Sequence, residues 1–203
     1  VCVVGIGYVG YPLACAFSHH LKVIGFDIDS LKVENYNNKH HQTSLSFTTD
    51  ELLIKDADVV IICVPTPVEK TKIPDFQFVE AASAVVGRNL KSGSVVVYES
   101  TYYPGVTEEL AVPLIEKYSG LTCGNDFWIG YSPERINPGD YENNLGTITK
   151  LVAGMNDSTK YFLVKLYGLI TKVYPVKDIR TAEAAKVIEN IQRDLNIALI
   201  NEL

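Results

Sequence analysis

The sequence opens on VCVVGIGYVG, and no other stretch constrains the fold as strongly. Apolar, mostly β-branched residues run into Gly5-Ile6-Gly7-Tyr8-Val9-Gly10, and a helical pattern follows, with Val9, Leu13 and Phe17 at i, i+4 and i+8. A buried strand that turns through G-x-G-x-x-G into a helix is the fingerprint of a dinucleotide site. Gly5 permits the tight turn, Gly7 lets the backbone approach a pyrophosphate, and Gly10 lets the helix sit close on the sheet. The helix N-terminus then offers free N–H groups and a positive dipole end to the phosphates. Glycines at this spacing also occur in turns that bind nothing, so a second signal is needed. Residues 23–26 (VIGF) read as a strand that Asp27 ends, 27 − 5 = 22 residues after the first glycine. A carboxylate there accepts hydrogen bonds from the adenosine ribose and repels a 2′-phosphate, so NAD is expected over NADP.

The rest of the chain alternates between short apolar runs and helical patterns. Residues 30–36 read as a short helix, 45–47 as a strand, 50–53 as the start of another helix, and 57–64 (ADVVIICV) as a strand buried on both faces. Pro65-Thr66-Pro67 stops that strand. Helices follow at 75–90, at 106–118 with an interruption at Pro113, and at 157–170, between strands at 94–98, 127–131 and 150–153. Alternation of this kind predicts an α/β fold with a Rossmann-like, doubly wound parallel sheet, in which ligands sit beyond the carboxyl ends of the strands. Residues 65–67, 99–101 and 132–135 each follow a strand and are rich in polar groups, so all three should line one crevice. Turn chemistry alone accounts for any one of them; their succession favours a site.

Residues 178–203 lack proline and glycine and read as one helix on the order of 40 Å long, extending past the edge of a domain this size. Lys186, Asn190 and Arg193 fall at i, i+4 and i+7 on one face, among apolar residues on much of the remainder. The stripe is either a solvated face or a set of functional groups. We divide the chain into a Rossmann-like domain at 1–177 and the start of a long central helix at 178–203.

Composition excludes several classes. A net charge of −6 without a basic run argues against nucleic-acid binding. No apolar run approaches the ~18 residues that cross a bilayer, and no signal peptide is visible. Cys2, Cys15, Cys63 and Cys123 are scattered without C-x-x-C spacing, which fits a reducing, cytoplasmic setting, with Cys2 and Cys63 as buried thiols. The His19-His20 and His40-His41 pairs lack a third ligand at regular spacing, so we assign them to a solvated surface and expect no metal. The chain has no initiator methionine and opens directly on a strand, as a piece of a longer protein would.

With these residues in hand, the chain resembles the nucleotide-sugar 6-dehydrogenases, the UDP-glucose/GDP-mannose dehydrogenase family. The motifs are VVGIGYVGYPLA (3–14), CVPTP (63–67), STYYPGVTE (100–108), YSPERINPGDYENN (131–144) and AEAAKVIENIQRDLNIALINEL (182–203), which span the chain end to end. SPERINPGD with AEAAKVIEN looks like the branch acting on UDP-N-acetylhexosamines in capsule and O-antigen synthesis. The resemblance implies oxidation of the sugar C6 alcohol to a carboxylate by two NAD, without a metal, through an aldehyde and a cysteine thioester.

By the same resemblance, Tyr8 and Val9 in the glycine turn, Lys32 beyond Asp27, Val64, Pro65 and Thr66 after one strand, and Ser100 and Thr101 after the next would contact NAD. Thr101 would hold the reacting oxygen or the catalytic water, and Glu134 would act as acid/base near it. Lys186 and Asn190 would stabilise the oxyanion. Arg135, Ile136, Asn137 and Arg193 would contact the UDP-sugar, together with Glu134, Lys186 and Asn190. The family's nucleophilic cysteine stands in a Gly-Gly-His-Cys-type segment downstream, absent here with the UDP-gripping domain, and its long helix continues into a homodimer interface. Other readings stay open: a 6-dehydrogenase of UDP-glucose or UDP-N-acetylmannosamine, an NAD(H)-sensing module without chemistry, and a dehydrogenase of small hydroxyacids.

Overall fold

Strand β1 (Cys2–Val4) has no exposed face, and its three residues divide between two cores. Val3 points to one side of the sheet, Cys2 and Val4 to the other, and the same alternation repeats in β4 (Val59–Ile62) and β5 (Val95–Tyr98). This is why these strands read as unbroken apolar runs. The computed structural model describes residues 1–40, 43–134 and 148–203. Among them, eight strands form one sheet in the order β3-β2-β1-β4-β5-β6-β7-β8. The remaining strands are β2 (Val23–Phe26), β3 (Leu45–Thr48), β6 (Trp128–Tyr131), β7 (Thr149–Gly154) and β8 (Lys172–Pro175).

Helices α1 (Gly10–Ser18), α2 (Ser30–Lys39) and α5 (Asp157–Tyr167) bury Leu13, Phe17, Val33 and Leu163 against one face. Helices α3 (Gln77–Asn89), α4 (Val112–Ser119) and α6 (Ile179–Glu202) bury Val79, Val86, Ile115, Ile179 and Ala182 against the other. The doubly wound fold is thus as expected. Cys2 and Cys63 are buried within it, and all four cysteines are free.

The structure corrects the reading in four places. The sheet is not parallel throughout: β7 runs antiparallel to β6, with Tyr131 opposite Ala153, and β8 pairs parallel to β7. Strand β8 escaped notice because KVYP is a short, largely exposed edge segment ending in proline, without a buried face to impose a pattern. The helix expected at 106–118 begins as one wide π turn (Thr107–Ala111) closed by the Val112 N–H on the Thr107 carbonyl, and the α form resumes with Pro113 in its first turn. His40 is not a solvated histidine. Its Nε2 lies 2.6 Å from the Tyr11 hydroxyl, and its ring packs on Phe47.

Helix α6 begins at an Asp178 cap, whose carboxylate accepts from the Thr181 N–H at 2.7 Å. One turn later the fully buried Glu183 reaches into the segment after β5. It accepts from the Gly105 N–H at 2.6 Å, the Thr107 N–H at 2.9 Å and the Thr107 hydroxyl at 2.6 Å. Three donors around one buried carboxylate make a strong joint, because removing the acceptor strands them away from water. Arg180 bridges Glu108 and Glu109 at 2.7 Å each on the exposed side of the same joint. We expect Glu183→Ala to lower unfolding stability by roughly 2–4 kcal/mol in urea denaturation. Arg180→Ala should be nearly silent in the same measurement.

Candidate active site

The carboxyl ends of β1, β2, β4 and β5 open on a cleft of about 520 Å³. At one end lies the glycine turn. Gly5 has φ +87°, a conformation that favours glycine, and its N–H donates to the Phe26 carbonyl at 2.8 Å. A Cβ on Gly10 would stand 2.0 Å from the Gly5 carbonyl oxygen, so this glycine serves helix packing and lies behind the cleft wall. A Cβ on Gly7 would meet no protein atom within 4 Å, which leaves that backbone open to a ligand. Gly5, Gly7, Tyr8 and Val9 line the cleft directly.

Asp27 closes the same end. Its Oδ2 accepts from the Ile6 N–H at 3.0 Å and from Lys32 Nζ at 2.9 Å, and its Oδ1 accepts from the Asp29 N–H at 3.1 Å. The carboxylate is therefore oriented before any ligand arrives. Lys32, expected as a cofactor contact, lines the cleft as the partner of Asp27.

Val64, Pro65 and Thr66 after β4 and Ser100 and Thr101 after β5 line the middle of the cleft, as expected. Two hydroxyls join these loops: Ser100 Oγ donates to the Val64 carbonyl at 2.5 Å, and Thr66 Oγ1 to the Thr101 carbonyl at 3.0 Å. Tyr131 adds a 2.9 Å bond from its hydroxyl to the Ser100 carbonyl. Helix α3 supplies an apolar wall of Phe78, Ala81, Ala82 and Val85, which the sequence reading missed. The signal was weak, since small residues on an amphipathic helix look the same whether they face a core or a ligand.

Glu134, buried after β6, lines the same cleft as Thr101, so two of the four residues expected to carry chemistry share it. Lys186, Asn190 and Arg193 lie on α6 and are not among the cleft-lining residues. Asn190 is exposed, Lys186 and Arg193 are half-buried, and Arg193 Nη2 stands 3.3 Å from Glu189. Arg135, Ile136, Asn137 and His41 lie outside the described residues.

Beneath Glu134 is a buried charge cluster that sequence reasoning did not identify. Lys150, with no exposed surface, donates to Glu99 Oε2 at 2.5 Å and stands 3.9 Å from Glu134 Oε2. The Tyr167 hydroxyl donates to Glu99 Oε1 at 2.6 Å. Burial raises the Glu99 carboxyl above its ordinary range, and Lys150 opposes the rise. For Lys150, burial pulls downward, but the two carboxylates outweigh it and the net shift is upward. The usable signal was a lone lysine in the apolar strand TKLVAG.

None of the four cysteines is poised as a nucleophile. Burial pushes Cys63, at the cleft, well up, and Glu99 adds to the shift. Burial also raises Cys2 to about 12, Cys15, and Cys123 to about 11. A thiol without thiolate character attacks carbonyls poorly.

The family model for the UDP-glucose/GDP-mannose dehydrogenase family, NAD binding domain, matches residues 1–44 and 36–171. The chain belongs to that family. It is 47% identical to protein CapL of Staphylococcus aureus and 45% identical to a UDP-N-acetyl-D-glucosamine 6-dehydrogenase of Pseudomonas aeruginosa, in each case over the whole of this chain and 51% of the relative. A solved UDP-D-ManNAc dehydrogenase from Pyrococcus horikoshii superimposes with a TM-score of 0.90 at 31% identity, over all of this chain and 53% of that one. The chain thus spans about half the length of the curated relatives it matches. As an NAD binding domain of this dehydrogenase family, it fits its cofactor by the open Gly7 backbone, the uncapped first turn of α1 and the pre-oriented Asp27.

Asp27→Ser should weaken NAD binding by about 10- to 100-fold, the loss expected for charge-assisted hydrogen bonds. It should also narrow the preference over NADP, because Lys32 is then released to meet a 2′-phosphate. Calorimetric titration of both nucleotides checks this. Equal affinity of the wild-type chain for NAD and NADP would refute the ribose assignment.

Proposed function

We propose that this chain is the cofactor-binding half of an NAD-dependent UDP-sugar 6-dehydrogenase that oxidises the C6 alcohol of a UDP-N-acetylhexosamine to the uronic acid. The observation that carries the reading is that Thr101 and Glu134, which follow the neighbouring strands β5 and β6, line the same cleft as the glycine turn and Asp27. A sensing module needs only the glycine turn and Asp27. It has no use for a buried carboxylate and a threonine beside them. Identity of 45% to the UDP-N-acetylglucosamine enzyme, against 35% to a UDP-N-acetyl-D-mannosamine dehydrogenase of Campylobacter jejuni, supports an N-acetylglucosamine-type substrate.

NAD, when bound, supplies the hydride acceptor. The residues of this chain do the rest of the work assigned to this half. Ser100 and Thr66 lock the loop carrying Thr101, so its hydroxyl is held where it can orient the reacting oxygen or a water. Glu134 takes a proton from that water or returns one. Lys186 and Asn190, one turn apart on α6, contribute an ammonium and an amide donor for a developing oxyanion, in a site completed beyond this chain. The exposed Ile188, Leu195 and Ile200 on the same helix support a homodimer through α6 in the intact protein. Proposed for the boundary, residues 1–177 form the cofactor domain and 178–203 start the connecting helix.

In the intact protein, NADH absorbance should rise with UDP-N-acetylglucosamine or UDP-N-acetylgalactosamine and stay flat with small hydroxyacids. Lys186→Ala and Asn190→Ala should each lower kcat by about 10²–10³-fold while leaving the NAD dissociation constant within a few-fold. Near-wild-type kcat in both returns that face to solvent.

Residues 1–203 should bind NAD without turnover. Burial shifts all four thiols upward, away from the thiolate that would capture an aldehyde, and positioning of the sugar can account for ~7–11 kcal/mol of the barrier. Steady NADH production by residues 1–203 alone would overturn this assignment of the machinery.

A further inference from the structure

The antiparallel pairing of β6 with β7 has a chemical consequence. With Tyr131 opposite Ala153, Lys150 lies three residues back along a strand running the other way, beyond the carboxyl end of β6 and level with the turn that carries Glu134. On a parallel β7 the same lysine would sit at the opposite end of the sheet. The reversal sets an ammonium, wholly removed from water, between Glu99 at the end of β5 and Glu134 after β6. Among the described residues, the other titratable groups around it are Cys63 after β4 and Tyr167 on α5, whose ring lies 5.6 Å from Nζ.

We propose that Lys150 is a positioning residue of the active site, anchored by Glu99 and holding the Glu134 carboxylate in place at the cleft wall through its positive charge. This rests on the reading of Glu134 as the acid/base. The two distances divide the tasks. At 2.5 Å Glu99 makes a hydrogen bond to the ammonium, and its second oxygen is engaged by Tyr167, so both of its oxygens are committed within the protein. At 3.9 Å Glu134 feels the charge without a tight bond to the ammonium, a separation at which its carboxylate can still exchange a proton with a water in the cleft. Two buried carboxylates this close to one site repel each other, and the ammonium between them offsets that repulsion.

If Lys150 served only to satisfy Glu99, neutralising both together would leave catalysis intact. The double variant Glu99→Gln/Lys150→Met makes that test in the intact protein, since it removes the Lys150–Glu99 pair together, so that neither of the two is left without the other, and the amide oxygen introduced at position 99 still accepts from Tyr167. We expect it to fold with a melting temperature near wild type, to lose kcat on the order of tenfold or more at neutral pH, and to keep its KM for NAD. The acid limb of its kcat–pH profile should move up by about one unit. Lys150→Met alone should move the limb up further and lose stability as well. Glu99→Gln alone keeps the ammonium and removes a repelling charge, so its limb should move down. Glu134→Gln is the control for the reading itself. If that variant loses kcat while the double variant keeps wild-type kcat and pH profile, this inference falls and the reading stands. If Glu134→Gln keeps kcat, the reading falls and takes the inference with it. Limbs that do not move in opposite directions for Glu99→Gln and Lys150→Met overturn the inference even if the double variant fails to fold.

Discussion

Helix α1 can leave strand β1 at so short a distance only because a carbonyl oxygen of Gly5 occupies the space where a side chain on Gly10 would begin. Everything at the carboxyl end of the sheet is referred to that contact. It sets the height of the first turn of α1, and hence where its free N–H groups point. The turn is then tied sideways: the Gly5 N–H bonds the Phe26 carbonyl, and the Ile6 N–H bonds the Asp27 carboxylate. The carboxylate proposed to meet the ribose is thus also a brace for the glycine turn. The same economy recurs farther along the cleft, where the Ser100 and Thr66 hydroxyls join the loops after β4 and β5 while presenting their backbone to a ligand.

Charge is handled differently at the two ends of the cleft. At the ribose end, Asp27 meets a lysine that is a third exposed, so its field is screened by water and adapts to whatever binds. At the far end, Lys150 and Glu99 are wholly dry, and the field they project on Glu134 is fixed by the backbone. A group that must recognise a ligand tolerates the first arrangement. A group that must hold or release a proton at a defined moment benefits from the second.

The strands and helices around the dinucleotide cleft were legible because their signals are local. VVGIGYVG states its turn, Asp27 sits at a fixed remove, and ADVVIICV can be buried only on both faces. Eleven of the twelve residues expected to touch the cofactor line the cleft, and Gly10 stands behind it for a packing reason. What escaped is non-local. The direction of β7 depends on how residues 149–154 dock on β6, and nothing in TKLVAG distinguishes one direction from the other. With that direction unread, Lys150 could not be placed beside Glu99, 51 residues earlier. The edge strand β8 escaped for the converse reason, since an exposed segment carries no burial pattern at all.

Helix α6 shows how one element can be finished at one end and unfinished at the other. Its first turns bury Ile179 and Ala182 and are pinned by Glu183 to the start of the helix after β5, so the orientation of α6 is set by the same β5 segment that carries Thr101. Five residues beyond Glu183 the environment changes: Ile188, Ile191, Leu195 and Leu199 are all more than half exposed. A helix apolar on much of its surface normally gains its stability from a packed face, and among the described residues the large apolar side chains of that half are exposed. Lys186 and Asn190 fall at the changeover. They are held at one end by the cofactor domain, and they face whatever packs against the other. Geometry within residues 1–203 brings Thr101 and Glu134 to the cleft, whereas Lys186 and Asn190 lie where α6 passes from its pinned first turns to its exposed apolar stretch.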